Sequence, residues 1–216
     1  MNKTQLRKHH QVTIGGALSC TSKMPCLSFN LSALDCKVGS KLVGVKNSVC
    51  AGCYALKGNY ARYKLITKLQ PKTKLVHNKH WVNSMVWLIK NQGNTKDKNF
   101  FRWFDSGDIQ GLKHLKKIVE IAEKLPNVKF WCPTKEYSTV KKYNKIYGKF
   151  PSNLIVRVSA PMINQKLKNA SNLTSSVSTD NRQDSFNCIS SKQNNECLDC
   201  RKCWDSSVKN INYKLH

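Results

Sequence analysis

The clearest pattern along the chain is an alternation of short apolar runs with longer amphipathic stretches. Short apolar runs bounded by turn residues predict buried strands, whereas apolar residues recurring every 3.6 positions predict helices. This pattern predicts strand, helix, strand, helix and strand in segments 99–108, 109–125, 127–137, 138–150 and 152–162, with the first two strands running into polar loops. Strands joined by helices at this spacing predict a parallel sheet with right-handed crossovers.

The helix over 109–125 has the most regular period. It ends at Pro126, because proline cannot continue a helix. Its apolar face is predicted to pack on the sheet and consists of Leu112, Leu115, Ile118, Val119 and Ala122. The sequence therefore predicts an α/β fold, either a partial parallel barrel or an open parallel sheet with crossover helices, followed by a cysteine-rich C-terminal segment.

The remainder of the chain has weaker patterns. Before the sheet, the sequence predicts short strands at 11–19 and 27–31, a loop at 36–53, a helix at 54–70 ended by Pro71, and a helix at 72–93 closed by Gly93. After it, residues 163–187 are polar and predict long loops with one short strand near Ser175–Ser178. We expect one domain over 1–216, with 188–205 as a metal-binding segment.

Polar residues follow the first two strands of the predicted sheet. The carboxyl ends of parallel strands share one edge, where ligands of such sheets collect. The candidate substrate-binding residues at this edge are Asp105, Ser106, Asp108, Lys135 and Glu136. Each also has a structural interpretation: Asp108 as a helix N-cap, Asp105 as a loop-ordering carboxylate, and Lys135 with Glu136 as a surface ion pair.

Length and composition exclude several classes of protein. A chain of 216 residues with 40% hydrophobic content can bury a real core, so it is not expected to be disordered. No apolar run approaches the roughly 18 residues needed to span a membrane, so we expect no membrane partner. The start of the chain is basic, but its apolar stretch "VTIGGAL" is short and broken by glycine, so we expect no signal peptide.

The ten cysteines indicate metal binding, because a chain made in the cytosol keeps its thiols reduced. Seven of them form two groups. The N-terminal group has the spacing C-x13-C-x2-C and comprises Cys36, Cys50 and Cys53. The tail group has the spacing C-x8-C-x2-C-x2-C and comprises Cys188, Cys197, Cys200 and Cys203.

The tail spacing favours an iron–sulfur cluster, most simply [4Fe–4S]. A C-x2-C-x2-C run opens the bacterial ferredoxin pattern, in which successive thiolates bind different irons of one cubane. Zinc is the alternative, because four cysteines in sixteen residues, 188–203, also suit a small all-cysteine zinc knuckle. Cys188 or a more distant cysteine would complete the site.

The N-terminal group has one ligand fewer than a closed cubane requires. Cys26 is a candidate fourth ligand and would make the centre structural or electron-transferring, with a redox partner. An open iron would instead bind substrate. The segment "CAGCYA" resembles half of the C-x3-C-x2-C loop of radical S-adenosylmethionine enzymes, and that more distant resemblance implies S-adenosylmethionine as a cofactor.

Four segments follow one another in order over residues 29–205: "FNLSALDC", "CAGCYALKGNY", "RWFDSGDIQGLKHLKKIVEIAEKLPNVKFWCPTKEY" and "CLDCRKCW". Together they resemble the phage family called gene product 88. The resemblance implies a cysteine-rich phage protein that acts in the host cytoplasm, and it supports the same two groups of cysteines.

The net charge of +25 raises the alternative of a zinc-stabilised nucleic-acid-binding protein without catalysis. Only six of the 37 basic residues are arginine, the side chain best suited to forked phosphate contacts, and no long basic block is present. We therefore expect nucleic-acid binding to be weak and indifferent to sequence.

Overall fold

A computed structural model of the chain describes residues 1–93, 97–167 and 172–215. These residues form an eight-stranded sheet. Its strands are β1 (Ser19–Cys20), β2 (Leu27–Phe29), β3 (Phe100–Trp103), β4 (Lys129–Thr134), β5 (Leu154–Ser159), β6 (Leu173–Ser178), β7 (Phe186–Asn187) and β8 (Asn210–Lys214).

The sheet is open and mostly parallel. Its strand order is β1-β2-β3-β4-β5-β6-β8-β7, and β1 alone among the described strands runs antiparallel to its neighbour. Strands β2 to β6 lie side by side in chain order, as expected when each crossover returns to the adjacent position. The predicted α/β class with a parallel sheet is confirmed.

The helices of the described chain are α1 (Lys3–Ile14), α2 (Lys37–Leu42), α3 (Gly58–Arg62), α4 (Leu65–Leu75), α5 (Trp81–Asn91), α6 (Leu112–Lys124) and α7 (Tyr137–Tyr147). Helices α6 and α7 are the predicted crossovers between β3, β4 and β5. Four of the five apolar positions predicted for α6 are buried, and Leu112 is partly buried against the same core.

The prediction of a strand at 11–19 is wrong for most of its length, because α1 extends to Ile14. A capping box begins α1: the Asn2 side chain accepts from the Gln5 backbone N–H, and the Gln5 side chain accepts from the Asn2 backbone N–H. Gly15 ends the helix in the left-handed region, at φ 83°.

The predicted end of a helix at Pro71 is also wrong. Helix α4 continues to Leu75 with Pro71 inside it, and the break in this region falls earlier, at Lys64, which is left-handed with φ 53°. A proline inside a helix costs one backbone hydrogen bond. Lys72 and Val76, which follow Pro71, are buried.

The two faces of the sheet carry different residues because side chains alternate along a strand. On one face, Phe101 and Trp103 join the main hydrophobic core with helices α5 and α6. On the other face, Trp131 and Trp204 form a second, smaller cluster with Met24 and Cys26. The C-terminal segment therefore covers the face of the sheet that the helices leave open.

The C-terminal segment also enters the sheet. Strand β8, which the sequence pattern left unassigned, lies between β6 and β7. Strand β6 contains the short strand predicted near Ser175–Ser178, and the rest of the loop predicted over 163–187 includes 168–171, which lie outside the described residues. In the described ranges no helix has the length and hydropathy to cross a bilayer.

Candidate functional site

Asp105 organises the loop that follows β3. Its carboxylate accepts hydrogen bonds from the Arg102 guanidinium at 2.8 Å and from the Tyr60 hydroxyl at 2.7 Å. Its backbone N–H donates to the Asn30 side chain at 2.7 Å, and its carbonyl accepts from the Tyr54 hydroxyl. Asp105 therefore joins the end of β3 to the segment that directly follows Cys53.

Asp108 is buried and links two strand ends. Its carboxylate accepts from the Ile109 backbone N–H, the Thr134 hydroxyl and the Lys135 backbone N–H. Burial raises the pKa of Asp108 to about 6, although these hydrogen bonds act against the shift. Helix α6 has no side-chain cap, since Gly111 occupies its N-cap position, so the N-cap interpretation of Asp108 is wrong.

The other strand-end residues have separate contacts. Ser106 is buried and donates to the Leu31 carbonyl at 2.8 Å, and the buried Glu136 accepts from the Val38 backbone N–H at 3.1 Å. Lys135 is half-buried, and its ammonium group forms no ion pair among the described residues, so the predicted Lys135–Glu136 pair is absent there.

The N-terminal cysteines lie at this same edge of the sheet. Cys36 precedes α2, and a methyl group placed on Gly39 would lie 3.7 Å from the Cys36 sulfur and 3.6 Å from the Cys50 sulfur. The two sulfurs therefore border one small volume, which the absence of a side chain at Gly39 leaves open. Burial raises the pKa of the Cys36 thiol, and the charges of Asp108, Cys53 and Cys50 raise it further.

Lys135 faces this group of thiols. Its positive charge acts against the rise in pKa that burial causes in both Cys36 and Cys50. The three cysteines therefore interact electrostatically with one another, and Cys36 and Cys50 do so with Asp108 and Lys135, two of the polar residues that the sequence placed at the strand ends.

Two of the tail cysteines, Cys197 and Cys203, pack against the second hydrophobic cluster. Burial raises the pKa of Cys203 to about 12, with further contributions from Cys188 and Cys197, while the Tyr213 hydroxyl, 3.3 Å from its sulfur, acts the other way. Burial also raises the pKa of Cys197, with contributions from Cys188 and Cys200. The four tail cysteines therefore lie near enough to interact electrostatically, Cys197 with Cys188 and Cys200, and Cys203 with Cys188 and Cys197.

Cys26 belongs to this tail region. It is buried in the second cluster, which Cys197 and Cys203 pack against. Burial raises its pKa to about 12, and the charge of Cys197 adds to the rise. The structure accordingly places Cys26 beside the tail group rather than beside the N-terminal group that it was a candidate to complete.

The ten cysteines are free thiols. Within residues 1–93, 97–167 and 172–215, no group of three or more His, Cys, Asp or Glu side chains is arranged to hold a metal ion. A zinc ion would need its sulfurs about 2.3 Å from one point. Each group is nevertheless an all-thiol donor set, which is the ligand chemistry of iron–sulfur clusters.

Sequence reasoning missed Arg102 and Tyr213, which lie beside the cysteines. The strand pattern carried a signal for Arg102, because alternation puts it on the opposite face from Phe101 and Trp103. No local sequence pattern indicates the position of Tyr213. It lies in β8, which pairs with β6, a strand distant from it in the sequence.

A family model described as Gene product 88 matches residues 1–183 of the chain. No curated protein and no solved structure matches it. The matched range contains the N-terminal cysteines and all five strand-end candidates, and it ends before the tail cysteines at 188–203. The match does not bear on the more distant resemblance to radical S-adenosylmethionine enzymes.

Proposed function

The chain belongs to the Gene product 88 family, and we propose that it is a phage protein that binds [4Fe–4S] clusters at its two cysteine groups. The N-terminal site would use Cys36, Cys50 and Cys53, and the tail site would use the four tail cysteines. The proposal places the protein in the reducing cytoplasm of the host, where the thiols stay available as ligands.

The observation that carries this proposal is that free, partly buried thiols of the tail lie near one another, with Cys197 and Cys203 packed against the same hydrophobic cluster. Cys188, Cys197 and Cys203 interact electrostatically, and burial raises the pKa of Cys197 and Cys203. Such thiols ionise only when a positive centre compensates their charge. A bound cluster supplies that compensation, and its binding free energy becomes folding free energy.

The spacing of the tail cysteines supports a cluster rather than zinc. Successive thiolates of a C-x2-C-x2-C run bind different irons of one cubane, whereas zinc needs its sulfurs about 2.3 Å from one point. Within the described ranges no group of three or more His, Cys, Asp or Glu side chains is arranged around one ion, so the choice rests on the spacing.

The N-terminal site has the features of a reactive centre. The structure puts Cys26 with the tail group, so Cys36, Cys50 and Cys53 lose that candidate for a fourth ligand. One iron of a cluster there would be open to an exchangeable ligand. Lys135 adds a positive charge beside that position, and the strand-end candidates Asp105, Ser106, Asp108 and Glu136 lie in the loops around it.

Two roles suit an open iron: redox chemistry with a partner protein, or chemistry of the radical S-adenosylmethionine type. In either role the chain's own residues would bind and orient the exchangeable ligand. Asp108 holds the loops after β3 and β4 together through its three hydrogen bonds, and it fixes the position of Lys135.

Anaerobic purification followed by iron, sulfide and zinc analysis tests the proposal. We expect a brown protein that contains iron and sulfide in equal amounts. A colourless protein with stoichiometric zinc would contradict the proposal and would support the zinc-stabilised alternative, because zinc has a filled d shell. A protein with neither metal would contradict both.

The variant Cys53→Ser tests the N-terminal site separately. We expect it to lose about half of the iron while the tail cluster remains, whereas Cys20→Ser, at an exposed cysteine outside both groups, should keep the wild-type content. Electron paramagnetic resonance of the reduced wild type, with and without S-adenosylmethionine, tests the open position. An unchanged signal would argue for a closed cluster or for another exchangeable ligand.

A further inference from the structure

Arg102 lies between the two cysteine groups. It is in β3, paired with Trp131 of β4, and points to the face of the sheet that the C-terminal segment covers. Its guanidinium carbon is 4.8 Å from the centre of the Trp131 ring, and its side chain is 15% exposed. Arginine stays protonated in proteins, so this position carries a fixed positive charge.

On one side, Arg102 contacts the strand-end region. Its guanidinium donates to the Asp105 carboxylate at 2.8 Å, and Asp105 in turn accepts from Tyr60 and Tyr54. Tyr54 directly follows Cys53, the last cysteine of the N-terminal group. The ion pair therefore lies next to the segment that carries this group.

On the other side, Arg102 faces the tail cysteines. The Trp131 ring beneath it belongs to the cluster against which Cys197, Cys203 and Tyr213 pack. Arg102 interacts electrostatically with Cys203, and also with Cys26 and Cys197. Arg102 also interacts electrostatically with Tyr213, whose hydroxyl lies 3.3 Å from the Cys203 sulfur.

Arg102 has further capacity to donate beyond its ion pair. Asp105 forms its one ion pair in the described chain, and the buried Nε atom has no hydrogen-bond partner there. Two other cations lie near the tail thiols. Arg157 also interacts electrostatically with Cys203 and directs its donors to backbone carbonyls, and Arg201 pairs with Asp97 at 3.3 Å.

We infer that Arg102 raises the reduction potential of the cluster in the tail site, and that Asp105 limits this effect. The inference rests on the proposed function. Reduction adds one electron, supplied by an external reductant, and requires no proton. A fixed positive charge in surroundings of low dielectric constant stabilises the added negative charge, and charge near a cluster is one determinant of its potential.

Potentiometric titration with dithionite, followed by visible absorbance and electron paramagnetic resonance, tests this inference on the full chain. We expect Arg102→Gln to shift the reduction equilibrium of the tail cluster at least tenfold toward the oxidised form, which is about 59 mV lower for one electron. Arg102→Lys should stay near the wild type. Asp105→Asn should shift the potential upward, because it removes the compensating charge.

Lys116→Gln is the matched control, since it removes the same unit of charge from the exposed side of α6, on the opposite face of the sheet. Wild-type potentials in Arg102→Gln with full cluster content would overturn the inference and leave the proposed clusters intact. If Arg102→Gln lost its cluster, the potential of the tail cluster in Asp105→Asn would test the inference instead. An unchanged or lower potential in Asp105→Asn would overturn the inference. A wild type without iron and sulfide would overturn both proposals.

Discussion

The side chain of Arg157, in the middle of β5, donates a 2.7 Å hydrogen bond to the backbone carbonyl of Asp205 in the C-terminal segment. The same fully buried guanidinium donates to the carbonyl of Cys203 at 3.0 Å and to that of Val208 at 2.8 Å. One strand residue therefore holds the backbone around the last tail cysteine against the sheet.

Arg157→Gln should destabilise the protein by about 3 kcal/mol or more. The shorter side chain leaves several buried carbonyls without donors, and hydrogen bonds to a charged group contribute about 1.5–3 kcal/mol each. Chemical denaturation measures the loss, and limited proteolysis should cut first in the C-terminal segment. Arg62→Gln, at an exposed arginine of α3, is the control and should change stability by less than about 0.5 kcal/mol. Equal stability of the two variants would show that Arg157 does not anchor the segment.

Cys200→Ser should lower metal content and stability together. Cys200 is the middle cysteine of the C-x2-C-x2-C run. Because the free energy of metal binding contributes to the free energy of folding, the loss of a ligand weakens both. We expect metal to leave the tail site and the unfolding free energy to fall by a few kcal/mol, on the order of other losses of a metal. Metal analysis and denaturation, with Cys20→Ser in parallel, check this. If Cys200→Ser kept the wild-type metal content, Cys200 would not be a metal ligand.

His114 should make the protein sensitive to acid. It is buried beside Trp81, its Nδ1 accepts from the Gln110 backbone N–H at 3.1 Å, and burial lowers its pKa to about 3. Between pH 6.5 and about 3 the unfolded chain binds the proton that the folded chain excludes. This contribution to stability is therefore complete above pH 6.5 and falls by up to about 1.4 kcal/mol for each pH unit below it.

The variant His114→Gln tests this pH dependence, because glutamine keeps an acceptor and does not titrate. We expect urea denaturation at pH 7 and pH 5 to show a smaller loss of stability on acidification in His114→Gln than in the wild type. His9→Gln, at an exposed histidine of α1, should behave like the wild type. An equal loss in all three proteins would assign the acid sensitivity to other groups.

The charge of +25 should give weak nucleic-acid binding that falls steeply with salt. Each neutralised phosphate releases counterions, so non-specific binding depends on ionic strength. Titration with DNA and RNA of random and defined sequence, at low and physiological salt, measures it. A preference of roughly a thousandfold for one sequence at physiological salt would contradict this prediction, since dedicated readers reach that ratio.

The central part of the fold was predictable because its signals are local. Between β3 and β5 the apolar runs and the 3.6-residue period identify each element, and Pro126 marks the end of α6 within two residues. The capping box of α1 is also present in the sequence, in Asn2 and Gln5, but the apolar residues at the end of the helix match a strand pattern as well. The helix that continues through Pro71 had no such signal.

The sequence by itself determined the α/β class, the order of the central strands and the two groups of cysteines. Tertiary structure decided which residues surround those cysteines. Cys26 lies beside the tail group and β8 lies between β6 and β7 because backbone pairing and burial join residues far apart in the chain. The surroundings of Arg102 have the same origin. The alternation of side chains along β3 determines the face of the sheet on which Arg102 lies, but its neighbours on that face come from the C-terminal segment that packs there.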